Sequence, residues 1–204
     1  VPRPRSLTEA RIAAAALAVL DRDGQDGLTM RAVAEEIGVS TMALYRYVDG
    51  REHLESLVVD HMLASVDVTP PAAASWRERV MALCERARAA IGEHPAAVPL
   101  ALMHRHTAPA ALRFAEALLE VLAEAGFVGE RRAVALRALL GQLFGSLVLT
   151  RFGPLSGPGT AALAALPEEE FPLLADTARH ARSIASDEEF RRSLELVLRG
   201  MSPR

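Results

Sequence analysis

Apolar positions along this chain recur every three to four residues, and no stretch alternates apolar and polar with the period of a strand. The first run places Ile12, Ala16, Val19 and Leu20 on one face of a helix reaching about Arg22, with Gly24 as its stop. Ser6 and Glu9 have the spacing of a capping box, in which the hydroxyl takes an orphan amide and the carboxylate reaches back. Thr29 is placed to cap a shorter helix carrying Met30, Val33, Ala34 and Ile37, closed by Gly38. Ser40 opens a third, about two turns long, that reaches Val48. Asp49-Gly50 then turns the chain into a fourth, Arg51 to about Val66, with Leu54, Leu57, Val58 and Met62 inward.

Pro70-Pro71 and the small residues after them read as a linker. Beyond it, helices are expected near 76–92, 96–104, 109–125, 130–152, 168–183 and 187–200. Gly92/Pro95, Pro109, Gly126/Gly129 and Pro167 supply the breaks. Residues 153–160, with Gly153, Pro154, Gly157, Pro158 and Gly159, read as a mobile loop. Ser186 and Glu189 repeat the capping-box spacing at the start of the last helix. The pattern predicts an all-α chain of about nine to ten helices. A three-helix domain is expected over residues 1–50 and a larger helical one over 51–204, with the helix 51–66 connecting them.

Composition agrees: half the residues are hydrophobic but only 4 % aromatic, a balance that favours helices over strands. The net charge of −3 does not announce a nucleic-acid partner, and all 23 basic residues are arginine. A lone cysteine, Cys84, leaves no intrachain disulfide and fits a reducing cytoplasm. Arg3, Arg5, Glu9 and Arg11 interrupt any signal-peptide-like run at residues 1–20. The longest apolar stretch, Ala138 to Thr150, contains Gln142 and falls short of the ~20 residues of a membrane span. The expected setting is therefore cytoplasmic, with no membrane partner.

The informative stretch is Leu28 to Arg51. Two short helices joined by Gly38-Val39-Ser40 have the layout of a helix-turn-helix, whose second helix lies in a major groove. Val33, Ile37, Leu44 and Val48 can face a core. That leaves Thr41, Met42, Ala43, Tyr45, Arg46 and Tyr47 toward solvent or DNA. Two tyrosines and a methionine are poor choices for water alone. On DNA, hydroxyls reach phosphates while Met and Ala methyls meet a thymine methyl. Arg31 could reach a guanine edge, and Thr29 a phosphate beside the helix dipole. The same spacing also occurs in the helical hairpins of enzymes. Up to Gly50 six arginines are offset by seven acidic residues, yet Arg3, Arg5, Arg31, Arg46 and Arg51 could still form a basic face.

Leu28-Thr29-Met30-Arg31 through Ala34, then Ile37-Gly38-Val39-Ser40, then Ala43-Leu44-Tyr45-Arg46-Tyr47-Val48 strongly resembles the DNA-binding domain of the TetR family. Ser75-Trp76, His94-Pro95 and Ala125-Gly126-Phe127 resemble the tetracycline-repressor branch of its C-terminal half. The resemblance implies that Arg31, Thr41, Met42 and Ala43 meet base edges. It implies backbone or groove-wall contacts for Thr29, Tyr45, Tyr47 and Arg51, and a mixed role for Arg46. Tyr47 stands where many relatives have His, and Asp49 where Lys is common. The implied activity is a ligand-released repressor that binds a palindromic, double-stranded operator as a homodimer.

The expected helix at 130–152 is apolar on nearly every side, which suits burial on two fronts. With the last helix it is expected to meet a second copy as a four-helix bundle, as the family does. Met81, Cys84, Met103, His104, His106, Phe114, Leu118, Leu139, Gln142 and Phe152 are candidate lining for a small, hydrophobic effector. Asp67 falls where the founding relative has an anchoring histidine, so tetracycline itself is not supported. No cofactor or metal is expected: His104 and His106, two apart, fall on different helix faces. The competing reading is a small helical enzyme or metal protein using His104, His106 and Cys84.

Overall fold

The computed structural model describes residues 7–203. The chain is 73 % helical, with no strand among the described residues. The helices are α1 (Glu9–Gly27), α2 (Met30–Ile37), α3 (Thr41–Leu44), α4 (Arg51–Ala64), α5 (Trp76–Gly92) and α6 (Val98–Met103). There follow α7 (Pro109–Glu124), α8 (Gly129–Phe152), α9 (Pro158–Ala164), α10 (Pro172–Ala181) and α11 (Ser186–Gly200). A 3₁₀ turn, Pro95–Ala97, precedes α6. The chain divides into two compact units, one of residues 1–69 with 86–117, the other of 70–85 with 118–204. These units are a division by packing. The expected boundary at residue 50 falls inside the first of them.

In the first unit, α1 packs on α4 and α2, and α2 on α3. Its centre is the periodic set expected of the first four helices: Ile12, Ala16, Val19, Leu20, Val33, Leu44, Val48, Leu54 and Val58, all fully buried. Gly24, at φ 72°, breaks α1 where a stop was expected. The N-cap of α1 is Thr8, whose hydroxyl accepts from the Arg11 amide at 3.2 Å; Ser6 lies outside the described residues.

In the second unit, α8 packs on α11; the buried side chains are Ala135, Leu139, Leu143, Phe144 and Leu147 on α8 and Phe190, Leu194 and Leu198 on α11. Gln142 Nε2 donates to Ser193 Oγ at 2.6 Å along the same seam. By length and composition α8 could cross a membrane, with a mean hydropathy of 1.6 in its most apolar window, so the shorter run counted from sequence underestimates it. The rings of Trp76 and Phe127 meet edge to face with centres 5.4 Å apart.

Three expectations need correcting. The loop expected at 153–160 ends early: Gly157 and Pro158 start α9, because proline suits the first turn of a helix. Ser186 does not cap α11; its N-cap is Ala185, and the Ser186 hydroxyl instead meets Thr150 Oγ at 3.1 Å. The third helix is one α-helical turn, after which residues 45–47 continue as a turn held by Tyr47 N–H to Leu44 O at 2.9 Å.

Candidate nucleic-acid interface

The interface is built on caps and one glycine. Thr29, in extended backbone, accepts from the Ala32 amide at 3.1 Å and starts α2. Gly38 ends it in the left-handed region, φ 79°, ψ 38°. The Val39 amide donates to Ala34 O at 2.9 Å and the Gly38 amide to Glu35 O at 3.1 Å, the paired bonds of a Schellman motif. Ser40 follows at once and caps α3 by accepting from the Ala43 amide at 3.2 Å. Two helix ends are thus satisfied within three residues, which fixes the angle between α2 and α3.

Behind α3, Leu44 and Val48 are fully buried. On its outer side Met42 is 76 % exposed, Tyr45 49 % and Tyr47 38 %, so the side chains expected to face outward do so. Thr41 and Ala43 are half-buried, while Thr29, Arg31, Arg46 and Arg51 are exposed. A buried Tyr45 and Tyr47 would have contradicted the helix-turn-helix reading at its root.

Electrostatically the surface is tempered. Arg31 Nε lies 2.8 Å from Glu35 Oε1, one turn along α2. Arg51 Nε lies 2.7 Å from Glu55 Oε1, and its Nη2 donates to Gln25 O at 3.0 Å. Glu55 is itself buried, and its other oxygen is 3.0 Å from His104 Nε2. Nearby, His94 Nδ1 is 2.7 Å from Asp21 Oδ2. Histidine–carboxylate pairs therefore tie α1 and α4 to residues 94 and 104 within the first unit. Pattern reading missed both, since their partners lie 73 and 49 residues apart.

The candidate effector residues are shared between the two units. Met103, His104, His106 and Phe114 belong to the first unit, and Met81, Cys84, Leu118, Leu139, Gln142 and Phe152 to the second. Cys84, Leu118 and Leu139 are buried, as are Phe114 and His104. Gln142 is half-buried, His106 is exposed, Met103 is 57 % exposed and Phe152 74 %. Met81 lines a groove of ≈ 340 Å³ between α5 and α11, with Ala82 and Leu198 as apolar neighbours and Arg77, Arg191 and Arg199 among its charged ones. Burial pushes the Cys84 thiol up to about 12. Among the described residues no three His, Cys, Asp or Glu side chains cluster as metal ligands would.

Comparison with known proteins finds two family models that match successive parts of the chain. Residues 12–54 match the family model for bacterial regulatory proteins of the tetR family, and residues 69–204 that for the tetracyclin repressor-like C-terminal domain. An HTH-type transcriptional regulator of Saccharopolyspora erythraea is 32 % identical over 121 residues, covering 59 % of this chain and 51 % of that protein. The HTH-type transcriptional repressor DrrR1 of Streptomyces coeruleorubidus is 30 % identical over 146 residues, 71 % of this chain and 54 % of that one. The chain thus spans about half the length of these curated relatives. Apo ActR of Streptomyces coelicolor superposes with a TM-score of 0.82 at 28 % identity, covering 98 % of this chain and 96 % of that one. ActR is also solved in complex with actinorhodin. With family models matching both its helix-turn-helix segment and the C-terminal two thirds, this chain belongs to the TetR family of transcriptional regulators.

Proposed function

We propose that the chain is a cytoplasmic repressor that binds a palindromic DNA operator as a homodimer and leaves it when a small hydrophobic molecule binds. The observation that carries this reading is the exposure of Met42, Tyr45 and Tyr47 on a segment anchored from behind by Leu44 and Val48. In this reading residues 1–50 are the DNA-binding domain and 51–204 the effector and dimer domain. Arg31, Thr41, Met42 and Ala43 meet base edges; Thr29, Tyr45, Tyr47 and Arg51 hold the sugar-phosphate backbone; Arg46 does both. Two copies of α3 spaced by one DNA turn, ~34–36 Å, would read the two half-sites.

Homodimerisation is supported by the outer side of α8, where Val134, Val148, Leu149 and Phe152 are exposed, and by Leu196 on α11. A large apolar surface on a chain whose relatives are DNA-binding regulators favours a protein partner over a membrane. The effector reading draws on ActR, whose structure with actinorhodin shows that protein holding a small molecule. In this chain Cys84, Phe114, Leu118 and Leu139 are closed to solvent, so an effector touching them has to open its own space. The chain is not an enzyme in this reading. His104 is taken up by Glu55, and Cys84 is a buried, protonated thiol, which leaves no activated nucleophile or base between them.

Gel shift with the duplex upstream of the chain's own reading frame tests the DNA half: a complex at low salt that weakens steeply as salt rises is expected. Absence of any shift at low salt overturns it. Sedimentation at micromolar concentration tests the other half, and a monomer there overturns the dimer.

A further inference from the structure

The segment expected to enter the groove is poor in the groups that read purines. Guanine is recognised by bidentate Arg or Lys and adenine by Asn or Gln, whereas thymine is the base that offers an apolar handle, its 5-methyl group. Residues 41–47 contain no Asn, Gln, Asp, Glu or Lys, and their one guanidinium, Arg46, lies on the turn after α3. Ser40 spends its hydroxyl on the Ala43 amide. Arg31, on α2, reaches a base edge only by leaving Glu35, 2.8 Å away. What α3 does present is Met42, at 76 % the most exposed large apolar side chain among the described residues of its unit, flanked by the methyl groups of Thr41 and Ala43. Leu44 and Val48 supply the core contact of this segment. Met42 therefore adds nothing to the fold, and its unbranched thioether can settle against an apolar surface of irregular shape.

We propose that Met42 is a specificity-determining residue that reads the 5-methyl group of a thymine in each half of the operator. The inference rests on the DNA-binding reading above and deepens it from contact to sequence preference. Removing one methyl from a buried apolar contact lowers affinity roughly 4-fold. Because a dimer meets the base twice, symmetric removal lowers it roughly 15-fold when the half-sites act independently.

The experiment uses the full chain. High-affinity duplexes are selected from a random pool, and each thymine of the selected site is then replaced, in symmetric pairs, by deoxyuridine, which lacks only that methyl. The wild-type chain is expected to lose roughly 15-fold in affinity at one thymine pair. Met42→Ala is expected to bind the thymine and deoxyuridine duplexes equally, while Met42→Leu keeps the discrimination. Far-ultraviolet circular dichroism of each variant confirms that the exposed substitution leaves the helices intact. Indifference of the wild-type chain to every deoxyuridine replacement overturns the proposal, as does discrimination undiminished in Met42→Ala. Failure to enrich any duplex overturns the DNA-binding reading itself, an outcome distinct from enrichment without methyl dependence.

Discussion

Replacing Glu55 by leucine removes the carboxylate at the junction of α4 and α6, and the cost follows from what is left behind. Glu55 is buried, with one oxygen 2.7 Å from Arg51 Nε and the other 3.0 Å from His104 Nε2. Arg51, its side chain 52 % exposed, turns into water and keeps its bond to Gln25 O. His104 has an 11 % exposed side chain and no such escape. A buried polar group stripped of its partner costs about 1–3 kcal/mol, so Glu55→Leu should lower stability by that amount. His104→Leu should do the same from the other side, leaving Glu55 with Arg51 alone. Replacing both partners by apolar groups removes the orphan, so Glu55→Leu/His104→Leu should recover most of the loss, with a coupling of at least about 1 kcal/mol. Urea unfolding followed by circular dichroism, at one fixed protein concentration because any dimer adds to apparent stability, measures all four proteins. Additive losses, or single variants within about 0.5 kcal/mol of the parent, would refute the reasoning.

Other consequences are local. Gly38 holds φ at 79° and a Cβ there meets nothing within 4 Å, so Gly38→Ala carries a purely torsional cost of about 1–2 kcal/mol. Asn, which tolerates this conformation, should cost less than Ala in the same unfolding assay, and equal costs would argue against a torsional origin. Cys84, with its thiol pushed up to about 12 by burial, should stay unreactive toward an aromatic disulfide at pH 8 until the chain is unfolded. Because that folded value is raised, the stability it contributes is complete below the unfolded thiol's ordinary range and is lost as pH climbs through it toward 12. Rapid labelling of the folded protein would show the site to be open. Leu149 is 60 % exposed on α8, so Leu149→Glu should leave helicity unchanged while shifting sedimentation from dimer to monomer. A dimer of undiminished affinity would place the twofold contact elsewhere.

The helix-turn-helix was legible because every decision in it is local. Thr29, Gly38 and Ser40 each act on backbone within five residues, and the fully buried Val33, Leu44 and Val48 follow from helical spacing alone. Two of the three Ser-x-x-Glu pairs, one of them not singled out from the sequence, show where such reasoning stops. Ser75 and Glu78 form the box: the Ser75 amide donates to Glu78 Oε2 at 2.7 Å, the Glu78 amide to Ser75 Oγ at 3.4 Å, and the bonds hold the Glu78 carboxyl below its usual range. Ser186 and Glu189 have the same spacing and do not, because the Ser186 hydroxyl is engaged by Thr150 on α8, 36 residues away. Spacing states what a cap could do, and tertiary contact decides.

The same limit governs charge at the interface, where the informative pairs were in plain sight. Arg31 with Glu35 and Arg51 with Glu55 are both four apart on a helix, a spacing that brings side chains together without tertiary help. Counting arginines on the proposed DNA face therefore overstates its positive potential. An arginine that leaves its carboxylate for a phosphate also leaves a negative charge behind, close to the duplex. Arg46 differs: it is exposed and has no carboxylate partner among the described residues. Arg3 and Arg5 lie outside the described residues, so among the described arginines of the proposed face it is Arg46 whose charge is not offset by a carboxylate; in the proposed reading it adds attraction, and Met42, Tyr45 and Tyr47 add fit. On the proposed function, a chain of net charge −3 would then select DNA by shape and methyl groups more than by charge.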